Sequence, residues 1–413
     1  MKKENKTVPA PSKLNLLRQI CNFIPDFLVP KLARETGVEK KVRTFSAWSH
    51  VVSLLYAQLS HSIGLNDVCD ALGLNSGPLS SLRGATPPSR NNLSNCNKVR
   101  SAEMAEKLFW EVREHLGNIS PRFVSGKAGK RFARRFKRTI NVVDSTTIPL
   151  IASCMDWAKH RRRKAAAKCH MRLDLQSFLP RFAIVDTAKH NDAKRAREVC
   201  AGIKAGEIVI FDKAYVDFDH LADLTLRLIF WVTRAKDNLS YDVVRRLQKK
   251  PKGKILRDDL IRLQSAASRK EYPDLMRRIV ALVEVDGREV EMVFLSNNLE
   301  WSAESIVELY RCRWEIEVFF KQIKQTLQLA DFLGTSVNAV RWQIWTALLT
   351  YLLLRYVSFL SQWSHSFSRL FTLIRTCLWK KWDLMSLLNI YGTADRHVRY
   401  CARPDQAYLP GFR

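Results

Sequence analysis

Three stretches with the composition of buried β-strands each end in an aspartate. They are Asp144 after NVV, Asp186 after AIV and Asp212 after IVIF. Carboxylates at the carboxyl ends of neighbouring strands converge, because the strands lie side by side in a sheet. Hard divalent cations prefer such oxygens, and a two-metal phosphodiester site needs a few of them at one point. A lone strand-end aspartate is more often a structural cap, so these positions alone leave each role open.

A predicted helix downstream carries a fourth candidate carboxylate. Tyr310, Arg313, Glu317 and Lys324 follow one another at intervals of three, four and seven residues. At about 100° per residue they share a polar stripe about 60° wide, while the apolar residues occupy a separate arc. One carboxylate, two cations and one phenol suit a site that binds a metal and a phosphate. Ordinary surface ion pairs are the alternative interpretation.

The balance of charge indicates a polyanionic partner. Lys and Arg number 68 against 40 Asp and Glu, which gives a net charge of +28. Such a field attracts nucleic acid first and an anionic membrane second, and a basic but merely solvated surface is the third interpretation. A membrane-surface role lacks a basic amphipathic helix with its own apolar face. An RNA-binding role lacks the run of aromatic sheet residues that it requires. We therefore expect DNA as the partner and no membrane.

Two segments concentrate the positive charge. Residues 127–138 contain seven cations in twelve positions, with Phe132 and Phe136 between them, and residues 159–172 form the second segment. Such segments neutralise phosphates while aromatic rings pack on the protein or on bases. A solvated linker is the alternative for the first segment. The residues expected to contact DNA are Lys130, Arg131, Arg134, Arg135, Arg161, Arg162 and Arg163.

The nine cysteines are scattered and form no CxxC pair, which favours a reducing compartment and free thiols. Cys169 and His170, with Cys154 and His160 nearby, match no common zinc spacing. The N-terminus has no apolar leader. The most apolar run, residues 344–354, is too short for a bilayer and predicts a buried helix. A cytoplasmic protein, held at the nucleoid through DNA, is the expectation.

The order of patterns predicts an α/β chain of several domains. A helical, DNA-binding domain is expected over 1–126, where residues 73–78 look like the turn of a helix-turn-helix, with an ordinary bundle equally open. A mixed sheet with packed helices follows in two parts, 127–236 and 301–360. A β-rich insertion separates them over 237–300, with a hairpin at Asp286-Gly287. Trp301 to Leu329 reads as one helix capped by Ser302. A C-terminal helical region and tail occupies 361–413.

The polar stripe also resembles a known signature. Residues 310–324 (YRCRWEIEVFFKQIK) are similar to the Y-x2-R-x3-E-x6-K pattern of bacterial insertion-sequence DDE transposases of the IS-four type. That family's first motif resembles Asp144-Ser145-Thr146, and its second resembles residues 211–215 (FDKAY). The similarity covers roughly residues 139–360.

The resemblance implies an RNase H-like mixed sheet as the catalytic core, with the insertion between the second aspartate and the glutamate. Asp144, Asp212 and Glu317 would be the catalytic triad and would bind two Mg²⁺ ions, with Mn²⁺ as an alternative. Tyr310, Arg313 and Lys324 would contact DNA phosphates near the cleaved end. Metal-dependent cleavage of transposon ends, strand transfer into target DNA, a hairpin step and a homodimer on terminal inverted repeats are further implications.

Two residues fit the family pattern less well. Asp186 lies outside the motifs and is expected to be structural. Related enzymes hold a flipped base with a tryptophan of the insertion, and Trp301 is the nearest candidate, although it stands at the edge of that segment.

Two other functions compete with a transposase. One is a catalytically inactive or domesticated DNA-binding protein derived from such an enzyme. The intact triad argues against it, because a binding module has no use for converging carboxylates that repel phosphate. The other is a nuclease of the same fold that cuts DNA without joining it, and no residue of the sequence distinguishes such a nuclease from a transposase.

DNA binding is expected to weaken steeply with salt. The two basic segments would displace counterions from about six to ten phosphates, so affinity should fall roughly a thousandfold or more between about 50 and 200 mM salt. A titration on duplex DNA at several salt concentrations measures this slope. A flat response would contradict backbone contacts by these segments.

Overall fold

The structure, a computed structural model, describes residues 8–39, 44–125, 136–150, 154, 159–161, 164–187, 192–248, 250–285, 287–327 and 333–392. The chain divides into two compact units. The first, called the helical unit, comprises residues 1–128, 148–167 and 320–405. The second, called the sheet unit, comprises 129–147, 168–319 and 406–413. The five-part domain division expected from sequence stays a prediction.

The helical unit is built around one long apolar helix, α14 (Val337–Leu360), which packs against α3 (Ala47–Ser60), α6 (Arg90–Val99) and α7 (Glu103–Ile119). This helix is long and apolar enough to cross a membrane by length and composition, but 83% of its most apolar window is buried inside the protein. The predicted buried helix at residues 344–354 is therefore confirmed. The helices of this unit are α1 (Leu16–Cys21), α2 (Leu28–Glu35), α3 (Ala47–Ser60), α4 (Leu65–Leu74), α5 (Ser76–Ser80), α6 (Arg90–Val99), α7 (Glu103–Ile119), α8 (Pro121–Ser125), α14 (Val337–Leu360), α15 (Phe367–Thr376) and α16 (Leu384–Gly392).

The turn predicted at residues 73–78 is wrong. Helix α4 continues through Gly73 to Leu74, and α5 begins at Ser76. The amide of the Asn75 side chain donates to the carbonyl of Ala71 at 2.8 Å, and the backbone amide of Asn75 donates to the same carbonyl at 3.2 Å. Only Asn75 therefore separates the two helices.

The sheet unit contains most of a ten-stranded mixed sheet. Its strand order is β2-β3-β1-β5-β6-β10-β9-β8-β7, and β4 pairs with β3. Strands β1, β5 and β6 pair in parallel. The pairs β6–β10, β10–β9, β9–β8 and β8–β7 are antiparallel. The expected α/β fold with a mixed sheet is confirmed. The strands are β1 (Ile140–Leu150), β2 (Lys159–Arg161), β3 (Lys164–Asp174), β4 (Leu179–Thr187), β5 (Ile208–Phe211), β6 (Phe230–Arg234), β7 (Tyr241–Arg246), β8 (Ile255–Leu263), β9 (Met276–Val285) and β10 (Arg288–Ser296).

The segment expected as a β-rich insertion supplies β7 to β10, which extend the same sheet beyond β6. Its hairpin is confirmed, because Val285 pairs with Arg288 across a two-residue turn. Gly287 in that turn has φ 74°, a conformation that favours glycine, while Asp286 lies outside the described residues.

Helices α9 (Asp192–Val199), α10 (Phe218–Leu226), α11 (Ala266–Glu271), α12 (Ala303–Arg311) and α13 (Trp314–Lys321) accompany the sheet. Every residue of β5 is buried, and the parallel register pairs Val143 of β1 with Phe211 of β5. Both side chains belong to a buried core that includes Trp231 of β6. Asp144 is the next residue of β1, and Asp212 is the residue that follows β5. The two aspartates are therefore held at neighbouring positions.

The single helix predicted from Trp301 to Leu329 is wrong. Helices α12 and α13 are separated by a turn at Cys312 and Arg313, and a π-helical segment, Gln322–Thr326, follows α13. In the turn the amides of Cys312 and Arg313 bond to carbonyls three residues back, at 3.0 and 2.9 Å, which tightens the backbone. The predicted cap is confirmed, since the Ser302 hydroxyl accepts from the amide of Ser305.

A buried ion pair links β8 to β9. Arg277 donates through Nε and Nη2 to Asp258 Oδ1 and Oδ2 at 2.7 and 2.5 Å, and both side chains are 6% exposed. Arg277 also donates to the carbonyl of Trp301, just before α12. The pair therefore ties the start of α12 to the sheet.

We expect Asp258→Ala to lower the free energy of unfolding by about 3–5 kcal/mol, because it leaves a buried guanidinium without its counter-charge. The matched control is Asp242→Ala on β7, since Asp242 pairs with Arg269 at 3.7 Å on the exposed surface. That change should cost about 1 kcal/mol or less. Urea denaturation compares the two variants. Equal losses would contradict this account of the pair.

Candidate active site

Asp144 and Asp212 are fixed by the backbone beside them. Asp144 Oδ1 accepts from the amide of Ser145 at 2.7 Å, and Asp212 Oδ1 accepts from the amide of Lys213 at 2.7 Å. Asp212 also caps a 3₁₀ turn, Lys213–Tyr215. Because each carboxylate bonds to the next residue's amide, its orientation is set by the strand that carries it.

Arg313 lies between two of the candidate carboxylates. Its Nη1 is 2.8 Å from Asp144 Oδ2, and its Nη2 is 2.8 Å from Glu317 Oε1. The Arg313 side chain is 11% exposed, Asp144 is 16% exposed and Glu317 is 40% exposed. One guanidinium therefore neutralises a strand carboxylate and a helix carboxylate together, in a largely buried setting.

Tyr310 reaches the remaining carboxylate. Its hydroxyl donates to Asp212 Oδ1 at 3.3 Å, and its buried ring packs against Phe294 at 5.1 Å between centroids. Burial raises the pKa of Tyr310 well above its ordinary range. The phenol thus keeps its proton and acts as a donor to the carboxylate. Residues of the α12–α13 segment contact both strand aspartates.

The electrostatics of Asp144 show that these carboxylates influence one another. Burial raises the pKa of Asp144 to about 6; Arg313 and the Ser145 amide oppose the rise, whereas the charges of Asp212 and Glu317 add to it. The ionised form of Asp144 is therefore less favoured than that of an exposed aspartate, even with Arg313 beside it. A positive charge at this site would stabilise the ionised carboxylates.

The donor set suits a hard divalent cation, which prefers carboxylate oxygens. Asp144 and Glu317 already share one positive partner, and Asp212 lies within electrostatic range of Asp144. Across the described ranges, no three His, Cys, Asp or Glu side chains are close enough to hold one ion as they stand. The positive charge beside Asp144 and Glu317 is that of the Arg313 guanidinium.

The sequence of this chain matches established families over most of its length. The transposase DDE domain model matches residues 135–353, more than half of the chain. A domain of unknown function, DUF4372, matches residues 12–82. The chain belongs to the transposase DDE-domain family. Its activity is DNA transposition, and a DDE transposase uses a divalent metal and acts on DNA.

Relatives support the same assignment. A protein of Sinorhizobium fredii described as a transposase is 32% identical over 287 residues, which covers 68% of this chain and 79% of the relative. One of Geobacillus stearothermophilus, described as a transposase of element IS5377, is 28% identical and covers 55% of this chain and 59% of the relative. The Escherichia coli transposase InsG of element IS4 is 25% identical and covers 45% and 42%. The expected IS-four type is therefore supported.

Among solved structures, the transposase is similar to the piggyBac transposase synaptic complex with hairpin DNA, with a TM-score of 0.44 and 8% identity. That match covers 94% of this chain and 85% of the solved chain. A likeness at this level adds nothing to the family assignment. The family model and the relatives favour an enzyme, and nothing in them favours the inactive alternative.

The sheet unit of the transposase brings together five of the residues expected at the site: Asp144, Asp212, Tyr310, Arg313 and Glu317. Lys324 lies in the π-helical segment, which belongs to the helical unit. The backbone of Arg161 is part of β2, and the other predicted DNA-contacting residues lie outside the described residues: Lys130, Arg131, Arg134, Arg135, Arg162 and Arg163. Their roles stay predictions.

Asp186 and Trp301 have structural partners. Asp186 on β4 forms an ion pair with Arg195 of α9. The Trp301 ring packs against Phe136 and Phe230, with centroids 5.3 and 5.0 Å away. The indole is therefore packed among aromatic rings of the sheet unit.

The sequence motifs did not predict the buried pair of His170 with Tyr215, which is close to Asp212 in the chain. His170 Nδ1 lies 3.0 Å from the Tyr215 hydroxyl, and both residues are buried. Tyr215 ends the turn that Asp212 caps, so the bond to β3 helps to fix that turn. Tyr215 stands in the second motif and could have been found there. His170 had no such signal, because only the folded sheet brings β3 close to the turn that follows β5.

Tyr215→Phe is expected to lower the free energy of unfolding by about 1–3 kcal/mol, because it removes a buried hydrogen bond. Cleavage should fall further than this loss explains, since the turn positions Asp212. The control is Tyr272→Phe, which removes another buried hydroxyl, 3.3 Å from Thr225. Melting curves and cleavage of an end oligonucleotide compare the two. Equal effects on cleavage would contradict a positioning role for Tyr215.

Proposed function

We propose that the transposase cuts DNA at the ends of an insertion-sequence element and joins those ends to target DNA, with Asp144, Asp212 and Glu317 as its metal ligands. The observation that carries this proposal is the position of Arg313 between Asp144 and Glu317, beside the Tyr310 bond to Asp212. The two aspartates and the glutamate are thus bonded to Tyr310, at the end of α12, and to Arg313, in the turn that follows it. This supports a single site with three carboxylates.

The proposed cofactor is a pair of Mg²⁺ ions, with Mn²⁺ as an alternative. Mg²⁺ takes only one or two protein carboxylates and keeps several waters, so three carboxylates suffice for two ions. When bound, such ions would activate the attacking oxygen and stabilise the leaving oxygen of the phosphodiester. The protein contributes fixed carboxylates, because backbone amides orient Asp144 and Asp212 before any ion arrives.

The remaining site residues would bind the DNA backbone. Tyr310, Arg313 and Lys324 are hydrogen-bond donors, and a guanidinium can bind two phosphate oxygens at once. We propose that they contact phosphates near the cleaved end. Further phosphates would be neutralised by the basic residues of segments 127–138 and 159–172, namely Lys130, Arg131, Arg134, Arg135, Arg161, Arg162 and Arg163.

The proposed partners follow from this reaction. Terminal inverted repeats and target DNA are the substrates, and a homodimer would hold two ends together. The N-terminal helices are proposed to contribute to end binding. The proposed location is the cytoplasm, where the net charge of +28 would keep the protein on the nucleoid.

Glu317→Gln tests the central residue of this proposal. The amide keeps the size of the side chain but removes the charge that would hold a cation. Cleavage of an end oligonucleotide in Mg²⁺ should fall about a thousandfold or more, while DNA affinity should change little, because phosphate contacts elsewhere dominate it. Asp144→Asn and Asp212→Asn should behave alike, and their effects should not add, because the three groups act together.

The matched control is Glu304→Gln, an exposed glutamate in the first turn of α12. It should cleave and bind like the wild type. A mobility shift and a cleavage assay on the same DNA separate binding from chemistry. If Glu317→Gln cleaves at a comparable rate, the triad assignment is wrong. If the wild type binds but never cleaves with Mg²⁺ or Mn²⁺, the protein is a DNA-binding derivative.

A further inference from the structure

We propose that Arg313 is the resident counter-ion of the carboxylate site, and that a divalent cation enters only when its guanidinium leaves Asp144 and Glu317. This inference rests on the proposed role of the three carboxylates as metal ligands. Before a metal binds, the Arg313 guanidinium would hold the carboxylates together, and it would have to move when the metal binds.

The contacts make Arg313 a competitor of the cation. Its two terminal nitrogens bind different carboxylates, Asp144 Oδ2 and Glu317 Oε1, each at 2.8 Å. The other oxygen of Asp144 accepts from the amide of Ser145. A cation on Asp144 and Glu317 would therefore share two carboxylates that the guanidinium already contacts. Two positive charges this close together repel each other, so the guanidinium and the cation compete for the site.

Arg313 has a route out of the site. It belongs to the turn between α12 and α13, at the edge of both helices. The guanidinium lies over the Trp314 ring at 5.3 Å from its centroid, and that indole is 44% exposed. This contact exists while the guanidinium is on the carboxylates, and the exposed part of the same indole would stabilise the cation on a path towards solvent. From there the guanidinium could bind a DNA phosphate in a two-pronged contact.

The exchange couples two ligands. A phosphate that binds Arg313 removes the competitor of the cation, and a cation on the carboxylates releases Arg313 for the phosphate. By thermodynamic linkage, each ligand then raises the affinity for the other by the same factor. The transposase without DNA would hold its metal weakly, which restrains cleavage until an end is bound.

Mn²⁺ binding to the full chain without DNA tests this inference, with the free ion followed by electron paramagnetic resonance. Arg313→Gln should bind Mn²⁺ on the order of tenfold more tightly than the wild type, which is a typical coupling between two sites. The matched control is Arg311→Gln, an exposed arginine two residues earlier, which should bind as the wild type does. Equal or weaker binding by Arg313→Gln overturns the inference.

Carboxylate variants separate this inference from the proposed function. If Asp144→Asn and Glu317→Gln lose Mn²⁺ while Arg313→Gln gains none, the triad stands and the resident counter-ion is wrong. If those variants bind Mn²⁺ like the wild type, or if the wild type and Arg313→Gln bind none, the triad assignment fails and this inference fails with it.

Trp314 supplies a readout that needs no change at Arg313. Saturating Mg²⁺ should alter the tryptophan emission of the wild type, because the guanidinium moves relative to the indole. Trp314→Phe should lose that change. Emission that stays constant in the wild type at saturating Mg²⁺ overturns the inference, even if Arg313→Gln does not fold.

Discussion

Three carboxylates in a largely buried site repel one another, and the rest of the active site depends on how that repulsion is balanced. Burial and the neighbouring charges raise the pKa of Asp144 to about 6, and Arg313 is its nearest positive partner. The turn at Cys312 and Arg313 lets one guanidinium bridge Asp144 and Glu317. The break between α12 and α13 therefore coincides with the residue that joins two carboxylates of the candidate site.

The sheet fixes the positions of the two aspartates relative to each other. Strands β1 and β5 are parallel, and Val143 is paired with Phe211, so Asp144 and Asp212 occupy neighbouring positions. The buried core that includes Trp231 fixes these strands, and the His170–Tyr215 bond fixes the turn after Asp212. Family membership establishes a DDE transposase, and these contacts explain how the aspartates of its motifs are held.

Local sequence signals predicted the elements that have strong short-range causes. The run IVIF became β5, the Asp286-Gly287 turn became the β9–β10 hairpin, and Ser302 became a helix cap. Helical spacing also placed Tyr310, Arg313 and Glu317 on one stripe; Tyr310 and Arg313 do contact the two aspartates, and Glu317 is bonded to Arg313.

What sequence could not predict depends on contacts between distant segments. The helix predicted from Trp301 to Leu329 is interrupted at Cys312 and Arg313, and Arg313 is bonded there to Asp144, which lies 169 residues away in the chain. His170 carried no local signal, since its partner Tyr215 is on another element. Periodicity likewise showed that Arg313 shares a stripe with Glu317, but not that it is nearly buried and already engaged.

The most direct measurement of the central claim is anomalous X-ray scattering from Mn²⁺ in crystals of the transposase bound to an end oligonucleotide. The account predicts anomalous density in contact with carboxylate oxygens of Asp144, Asp212 and Glu317, with Arg313 withdrawn from Asp144 towards a phosphate. Anomalous density bound to other residues, with these three carboxylates still held by Arg313 and Tyr310, would contradict it.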